Sequence, residues 1–458
     1  MKPSPRLTAV QLLPLIQRFL GLSAAKIADL DRTWDPAAGT PVFTVKGRYT
    51  TRGWTEWTQG FQYGCALLQY DMTGERRFLE LGRERTIARM APHVSHTGVH
   101  DHGFNNLSTY GNLRRLMREG RIPYDRRELE LYELALKVSG AVQAARWTRT
   151  AAGRGFIHSF NGPHSLFADT IRSLRVLGLA HELGHVLMGE GDRPISLLGR
   201  LVDHALTTAQ YNVYYGEGRD AFDRVPGRVA HESIFNPTDG QYRCPSTQQG
   251  YSPFSTWTRG LAWILAGYAE QLEYLSQVDE EALAPFADRG ELLRLCERAA
   301  VAVAEFYLEH SFADGIPFWD TGAPGVAGFG RYTEQVSDPA NDVEPVDASA
   351  AAICGQGYLR LGNYLTARGD RSRGRRYRAA AFTIARTLLA EPYLATRPRH
   401  QGLTLHVVYH RPNGWDHVPA GRRIPCGEAA MWGDYHTMEL LLLIQREAEK
   451  GPYPQFFR

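Results

Sequence analysis

Two aspartates in this sequence are placed to transfer protons as a pair. Asp101 lies in the HDHGF segment at 100–104, at the start of a predicted helix, and Asp169 lies in FADT at 167–170, early in another. The helix dipole alone favours acidic residues at helix starts. Two of them at the starts of helices from neighbouring hairpins are also well suited to acid–base catalysis. We therefore predict that Asp101 and Asp169 are the catalytic pair.

A group of aromatic and polar residues further along the chain is typical of a sugar-binding surface. Arg259 and Trp263 are four residues apart and share one helix face, and Trp257 lies at the mouth of the same helix. Aromatic faces stack on the C–H faces of sugars, while Arg and Gln bind hydroxyls or carboxylates. A tryptophan pair at helical spacing is often only core, but the polar neighbours Gln249 and Arg259 favour a binding site. His231 lies upstream of this group and is a further candidate.

One histidine motif suggests different chemistry. HELGH at 181–185 matches the HExxH motif, which in zinc peptidases puts two histidine ligands and a glutamate base on one helix face. The extended zinc-peptidase motif has a glycine where this chain has Met188. A metallopeptidase that uses His181, Glu182 and His185 is therefore kept only as a minor alternative.

A second histidine group surrounds Asp101. Four histidines fall within ten residues: His93, His96, His100 and His102. Clusters of this kind can bind zinc or nickel, but a polar loop that leads into the active-site helix explains this one as well. We predict that His100 contacts the substrate, and that the site holds no metal and needs no cofactor.

The elements that position these residues are predicted to be helices. Apolar residues recur with the 3.6-residue period of half-buried helices. The predicted helices lie near 8–22, 56–73, 76–91, 100–118, 125–148, 166–188, 195–212, 254–278, 290–310, 346–366, 372–390 and 430–448. Short strands are predicted only at 40–46 and 404–409. A dozen helices without a β-α-β rhythm predict an all-α toroid of six helical hairpins.

Long segments rich in Gly, Pro and aromatic residues separate some of the helices. They span 92–99, 151–165, 213–255, 312–345 and 395–427. Long ordered loops in a compact domain are usually functional. No low-complexity linker divides the chain, so residues 1–458 are predicted to form a single domain.

Composition and charge exclude several partners. The chain has 52 Lys and Arg against 49 Asp and Glu, which gives no strong field for nucleic acid or an anionic membrane. Five widely spaced cysteines without a CxxC pair favour a reducing cytoplasm. Polar residues interrupt the apolar start at 1–22, which indicates an amphipathic helix and not a signal peptide or membrane span. We expect a cytoplasmic protein, and no pattern indicates its oligomeric state.

Several segments resemble the unsaturated glucuronyl hydrolases of glycoside hydrolase family 88 and their unsaturated rhamnogalacturonyl relatives. The matching segments are WTQGF (57–61), HDHGF (100–104), ADT (168–170), QGYS (249–252), STWTRGLAW (255–263), DGIPFWD (314–320), DASAAA (347–352) and GDY (433–435). They occur in the family's order from about residue 54 to the C-terminus, and STWTRGLAW is the most specific.

This resemblance implies an (α/α)6 barrel with the active site in a pocket at one end. It implies that Asp101 and Asp169 are the key acidic residues. The residues implied to contact sugar are Trp57, His231, Gln249, Trp257, Arg259 and Trp263. The implied partners are oligosaccharides that end in the 4,5-unsaturated uronic acid left by polysaccharide lyases.

The implied reaction differs from ordinary glycoside hydrolysis, in which two carboxyls act at the anomeric carbon. The unsaturated uronate is an enol ether, and protonation of C4 leaves positive charge shared between C5 and the ring oxygen. Asp169 would give that proton and then, as a carboxylate, activate the water that adds at C5. The hemiketal so formed opens and releases the neighbouring sugar. A carboxyl with both roles needs a raised pKa, which we expect Asp101 to provide.

Departures from the family pattern bear on the choice of substrate. Gln248 stands where the family commonly has histidine, and the helix after Asp169 carries Arg172 and Arg175. These two arginines, together with Arg243, are expected to favour a further anionic group on the substrate.

Other activities stay open on the same fold, since a fold does not fix a function. The alternatives are an intact-uronide hydrolase and a sugar 2-epimerase, which would use His231 and His436 as acid and base. A non-catalytic carbohydrate-binding protein would keep the tryptophans but tolerate the loss of both aspartates.

Overall fold

The computed structural model describes residues 1–53 and 56–457, and this part of the chain is mainly helical. Its α-helices are α1 (Ala9–Thr33), α2 (Gln59–Thr73), α3 (Arg76–Arg89), α4 (Ala91–Val94), α5 (His102–Asn106), α6 (Asn112–Arg118), α7 (Arg126–Ala145), α8 (Thr170–Ser173), α9 (Arg175–Glu182), α10 (Leu197–Tyr211), α11 (Thr258–Leu275), α12 (Glu280–Leu283), α13 (Arg289–Glu309), α14 (Ala348–Ala367), α15 (Arg371–Leu388) and α16 (Met431–Ala448). A π-helical turn, Leu107–Gly111, joins α5 to α6. Short 3₁₀ turns lie at Pro36–Ala38, Glu56–Thr58, Glu190–Asp192, Pro324–Phe329 and Tyr332–Glu334.

Short antiparallel strands lie in the connections between helices. They are β1 (Phe43–Val45), β2 (Arg48–Thr50), β3 (Trp147–Arg149), β4 (Gly155–Ile157), β5 (Ser165–Phe167), β6 (Val186–Met188), β7 (Pro194–Ser196), β8 (Glu232–Phe235) and β9 (Tyr242–Ser246). Strands β5, β8 and β9 form one sheet in that order, and the others pair as hairpins. The helices, and not these small sheets, carry the fold.

Six helical units form an inner ring and are buried on nearly every side. They are α2, α5–α6, α8–α9, α11, α14 and α16. Each unit contacts the next, and α16 contacts α2, so that the ring closes. The outer helices α1, α3, α7, α10, α13 and α15 alternate with them along the chain and also keep exposed faces. This alternation confirms the predicted six-hairpin (α/α)6 barrel.

Charged side chains are buried between the inner helices. Arg172 Nε lies 2.8 Å from Glu270 Oε2, and Arg172 Nη2 lies 2.8 Å from Glu439 Oε2. Arg175 Nη1 lies 3.2 Å from Glu270 Oε1. Buried charges are tolerated when they are paired in this way. The expectation that Arg172 and Arg175 attract an anionic group of the substrate is therefore wrong, because both guanidiniums are occupied inside the barrel.

The largest error in the predicted elements concerns residues 166–188. The apolar pattern predicts one helix here, but the first residues pair in β5, and α8 and α9 follow with only Leu174 between them. Gly184 has a φ of +73°, which ends α9 and turns the chain into β6. The apolar period of a buried helix does not reveal strand pairing with residues far along the chain, here β8.

Two smaller differences between the predicted and the observed elements concern α1 and the second predicted strand. Helix α1 continues to Thr33, beyond the predicted end near residue 22. The strand predicted at 40–46 is present as β1, whereas 404–409 makes only isolated bridges, at Thr404 and Leu405.

Trp54, which begins the segment that resembles the family, lies outside the described residues. No helix in the described chain combines the length and apolar character needed to cross a membrane.

Candidate active site

A pocket lies where the inner helices begin. Its walls are Trp57, Val99, His100, Asp101, Phe104, Phe160, Asp169, Gln248, Gln249, Trp257, Arg259, Trp263, Tyr409, His410 and Trp415. Most of these residues immediately precede, or belong to the first turns of, α2, α5, α8 and α11, and the remainder come from the long connecting segments. The barrel therefore brings together residues that are far apart in the sequence.

The three-stranded sheet places Asp169 beside the polar wall of the pocket. The end of β5 pairs with the start of β8, where Phe167 is opposite Glu232, and the start of β8 also pairs with the end of β9, where Glu232 is opposite Ser246. Asp169 comes two residues after β5, and Gln248 comes two residues after β9. Antiparallel pairing thus explains why both side chains line one pocket.

Both aspartates begin helices without capping them. Asp101 is the N-cap residue of α5 and Asp169 is that of α8, and neither side chain makes the capping hydrogen bond. By contrast, the Asp125 carboxylate caps α7 by accepting hydrogen bonds from the backbone N–H groups of residues 127 and 128. A purely structural explanation by helix capping therefore does not apply to Asp101 or Asp169.

His100 lies between the two carboxylates. Its Nε2 atom is 3.8 Å from Asp101 Oδ1 and 3.6 Å from Asp169 Oδ2, and its side chain is fully buried. Burial opposes a charged imidazole, but the two carboxylates outweigh it and raise the pKa of His100. The site is thus one coupled acid–base group of three side chains.

The two aspartates differ in acidity. Burial raises the pKa of Asp101 to about 6, and the negative charge of Asp169 adds to the effect while His100 opposes it. Burial acts in the same direction on Asp169, but the interaction with His100 dominates and holds its pKa below the usual range. The expectation that Asp101 raises the pKa of Asp169 is therefore wrong for the free enzyme, because His100 was not included in it.

Arg259 organises one wall of the pocket. Its Nη1 lies 2.9 Å from Asp347 Oδ2 and also donates to the Val408 carbonyl. Its Nη2 donates to Gln249 Oε1 at 2.9 Å and to the Tyr409 carbonyl at 2.8 Å. Arg259 lines the pocket as predicted, but most of its hydrogen bonds hold other parts of the wall in place.

Aromatic rings supply the remaining walls. Trp57 stacks on Trp432 with ring centroids 5.3 Å apart, and Trp263 packs against Phe104 at 4.8 Å. Trp257 lies 4.6 Å beneath the Arg259 guanidinium. Trp257 and Trp263 are almost completely buried, so each is core on one side and pocket wall on the other. This combination suits the stacking of a sugar ring.

Of the residues predicted to contact sugar, His231 alone is not part of the pocket wall. It lies behind the wall, with its ring 4.5 Å from both Trp257 and Phe167. Its Nδ1 accepts a hydrogen bond from the Gln248 backbone N–H at 3.1 Å, and burial lowers its pKa to about 4. His231 is therefore a neutral support for the Gln248 segment, and its contact with sugar stays a prediction.

Several pocket residues were not predicted from the sequence. Phe160 comes from the segment 151–165, while Tyr409, His410 and Trp415 come from 395–427. Their aromatic enrichment and the length of these segments were the available signals. Arg243 lies on the exposed side of β9 and does not line the pocket.

The alternative histidine sites are not assembled. Helix α9 ends at Glu182, so His185 lies beyond it and does not share a helix face with His181. His102 bonds to Ser139 Oγ at 2.8 Å and to the His96 carbonyl at 2.9 Å, as a structural histidine would. The zinc-peptidase alternative therefore has no structural support.

The acid–base group itself has the spacing of a metal site. His100, Asp101 and Asp169 each offer one ligand atom, all within 4.8 Å of one another, and this is the only such group among the described residues. A nitrogen and two carboxylate oxygens are ligands that zinc accepts. Proton transfer requires the same atoms, so metal binding and the predicted acid–base role exclude each other.

Known proteins resemble this chain over most of its length. It is 26% identical over 409 residues to the unsaturated glucuronyl hydrolase of Bacillus sp. (strain GL1), across 87% of this chain and 89% of that protein. It is 22% identical over 417 residues to the unsaturated chondroitin disaccharide hydrolase of Streptococcus agalactiae serotype III (strain NEM316), across 89% and 85% of the two chains. The crystal structure of the Bacillus enzyme aligns with a TM-score of 0.69 at 23% identity, covering 95% of this chain and 97% of that one. No protein-family profile matches the chain.

Fold and relatives together define a glycoside hydrolase built on an (α/α)6 barrel. More narrowly, the chain is a relative of the unsaturated glucuronyl hydrolases, as its motifs predicted. The roles of individual pocket residues stay predictions.

Proposed function

We propose that this protein removes 4,5-unsaturated uronic acid from the ends of lyase-generated oligosaccharides, by protonating C4 of the enol ether and hydrating C5. The observation that supports this most strongly is the pairing of Asp101 and Asp169 around His100 in an aromatic pocket. The relatives named above point to the same class of substrate. The proposal treats residues 1–458 as one catalytic domain in the cytoplasm that needs no cofactor.

The shape and walls of the pocket fit a terminal sugar. A C4=C5 double bond flattens the uronate ring, and flat rings stack well on tryptophan and phenylalanine faces. Trp57, Phe104 and Trp257 provide such faces, and Gln248 and Gln249 provide amide groups for hydroxyls or the carboxylate. Access from one end of the barrel favours removal of a terminal residue.

In the proposed reaction Asp169 gives its proton to C4, and the electron pair of the double bond forms the new C4–H bond. Positive charge then spreads over C5 and the ring oxygen. The Asp169 carboxylate takes a proton from water as the water oxygen bonds to C5. The hemiketal opens, C5 becomes a ketone, and the bond between C1 and the neighbouring sugar is lost as an aldehyde forms. Asp169 ends the cycle protonated, as it began.

Asp169 must therefore be protonated in the complex, although His100 favours its ionised form in the free enzyme. A bound uronate brings a negative charge into the pocket, and a nearby like charge raises the pKa of a carboxyl. The raised pKa of Asp101 leaves a proton available beside His100 at mildly acidic pH. We propose that substrate binding shifts a proton of this group onto Asp169.

The carboxylate spacing argues against an inverting hydrolase of intact uronides. Inverting glycosidases keep their two carboxyls about 6.5–9.5 Å apart to admit a water between them. Here the Asp101 and Asp169 oxygens lie within 4.8 Å of each other. The epimerase alternative loses its basis too, because neither His231 nor His436 lines the pocket.

The direct test measures absorbance of the conjugated C4=C5 bond while purified protein meets lyase-generated disaccharides. The panel comprises products of chondroitin, heparin, hyaluronan, gellan and rhamnogalacturonan, with intact glucuronides as a separate arm. The proposal predicts loss of absorbance with at least one unsaturated substrate. Asp169→Asn, the matched control, should reduce the rate about 10²–10⁴-fold while sugar binding persists. Release of sugar only from intact glucuronides would overturn the proposal.

A further inference from the structure

The two helices that carry the aspartates touch each other at Gly103 and Ser173. A Cβ atom on Gly103 would lie only 1.9 Å from the Ser173 carbonyl oxygen, so only glycine fits at this crossing. Gly103 is two residues after Asp101, and Ser173 is four residues, or about one helical turn, after Asp169. A tight backbone crossing of α5 and α8 therefore lies within four residues of each aspartate in the sequence.

The Ser173 hydroxyl joins the two helices with hydrogen bonds on both sides of Asp101. Its Oγ donates to the His100 carbonyl at 2.8 Å and accepts from the Gly103 backbone N–H at 3.0 Å. Gln143 of α7 donates to the same oxygen from its Nε2 at 3.0 Å. Ser173 and Gln143 are completely buried, so water cannot replace these bonds.

We propose that Ser173 is a positioning residue that fixes the distance of Asp169 from the His100–Asp101 pair. His100 and Asp101 are neighbours in sequence and move together with α5, whereas Asp169 and Ser173 move together with α8. The Ser173 hydroxyl is bonded to backbone groups on either side of Asp101, so it determines how far apart the two carboxyls lie. This inference deepens the proposed function and rests on it for its effect on catalysis.

Removal of the hydroxyl should loosen the junction without removing any group that contacts substrate. Ser173→Ala leaves the His100 carbonyl and Gly103 N–H without this partner in a buried site, which favours a small separation of α5 from α8. Misplacement of a catalytic group by about 1 Å can reduce a rate about 10²-fold. We expect kcat to fall about 10–100-fold and KM to change less than about threefold.

Titration of the two aspartates without substrate is a second measurement. If Ser173 only stabilised the fold, its replacement would leave the pKa values of Asp101 and Asp169 unchanged. In ¹³C-aspartate-labelled Ser173→Ala protein, Asp169 is farther from His100, so its pKa should rise. Asp101 is farther from the Asp169 charge, so its pKa should fall. The two values should therefore approach each other relative to the wild type. Resonances are assigned with the Asp101→Asn and Asp169→Asn variants.

Ser311→Ala is the matched control. Ser311 is also fully buried, and its hydroxyl donates to the Tyr307 carbonyl at 2.7 Å, away from the pocket. It should leave kcat and both aspartate pKa values unchanged. If Ser173→Ala is poorly folded, Ser173→Cys takes its place in the test. Cysteine keeps a weak donor, so smaller changes in kcat and in both aspartate pKa values are expected.

A folded Ser173→Ala protein with wild-type kcat and unchanged aspartate pKa values would overturn the inference. It would also be overturned if Ser311→Ala produced the same changes as Ser173→Ala. If the wild-type protein hydrolyses none of the unsaturated substrates, the proposed function fails. The titration then still decides whether Ser173 sets the carboxyl spacing.

Discussion

The Nε2 atom of His100 lies 3.6 Å from an Asp169 carboxylate oxygen, and this contact sets the protonation state of the free site. The carboxylates raise the pKa of His100, and His100 in turn lowers the pKa of Asp169 against the effect of burial. A carboxyl that must act as an acid is therefore held ionised until something changes its surroundings. In the proposed function, that change is the arrival of an anionic substrate.

Replacement of His100 by glutamine should widen the pH range in which Asp169 is protonated. Without the imidazolium, burial raises the Asp169 pKa, so the acid form persists to higher pH. We predict that the basic limb of the pH profile of kcat/KM moves to higher pH in His100→Gln, even if the maximum rate falls. Initial rates over a pH series measure this limb. An unchanged limb, or one that moves to lower pH, would show that His100 does not control Asp169.

Asp101 should reduce the stability of the folded enzyme at neutral pH. Its pKa of about 6 lies above the ordinary 3.8, so the folded state favours the protonated form. Ionisation of Asp101 lowers the free energy of unfolding. This loss is absent below about pH 4, grows between about pH 4 and 6, and stays constant at about 3 kcal/mol at higher pH. Asp101→Asn has no such cost, so it should unfold at higher urea concentration at pH 7.5, and this advantage should vanish near pH 4.

Asp125→Asn is the control for that measurement. Asp125 caps α7 and is exposed, and asparagine is an equally good N-cap residue, so stability should change by less than about 0.5 kcal/mol. Equal stability of wild type and Asp101→Asn at both pH values would contradict a raised pKa at Asp101.

Arg259→Lys should weaken both folding and substrate binding. Lysine keeps the charge near Asp347 but cannot present the guanidinium fork that holds Gln249 and the carbonyls of Val408 and Tyr409. We expect a loss of about 1–3 kcal/mol in the free energy of unfolding and a KM about tenfold higher. Denaturant unfolding and steady-state kinetics measure the two effects.

The matched control is Arg376→Lys, at an ion pair that is half exposed on the surface with Glu305. Such pairs contribute little, so its stability and KM should be close to wild type. If Arg259→Lys behaves like this control, Arg259 does not organise the wall of the pocket.

Metal ions should inhibit this enzyme and not activate it. The proposed reaction needs His100, Asp101 and Asp169 free for protons, and the ligand atoms of this group are close enough to hold zinc. We predict that a chelator leaves the rate unchanged and that added zinc lowers it. Loss of activity on chelation, restored by a metal, would instead establish a metal-dependent mechanism.

Much of the fold could be predicted from the sequence because helical periodicity is a local signal. Eleven of the twelve predicted helical segments coincide with helices or helical units of the barrel, and the exception is the stretch around Asp169. There, β5 pairs with β8 more than 60 residues away, and periodicity cannot register such a partner. The residue with the most important proposed role thus lies where the local prediction failed.

The sequence motifs predicted which residues line the pocket better than they predicted the ion pairs and pKa values of those residues. The motifs correctly placed Asp101, Asp169 and Arg259 in one pocket. They could not show that Arg172 and Arg175 form ion pairs with buried glutamates, because these ion pairs join different helices. Nor could they show that His100 lowers the pKa of Asp169, for which a raised pKa was expected. This effect depends on distances within the folded barrel.

The measurement that tests the central claim most directly is the isotope content of the product formed in D₂O and in H₂¹⁸O. Protonation at C4 and hydration at C5 predict one solvent deuterium on C4 and ¹⁸O in the new C5 carbonyl of the released uronate, read by NMR and mass spectrometry. Ordinary hydrolysis at the anomeric carbon leaves C4 without deuterium and puts ¹⁸O on C1. Deuterium at C4 that disappears with the turnover of Asp169→Asn would support the proposed reaction. A product with ¹⁸O on C1 and an intact C4=C5 bond would contradict it.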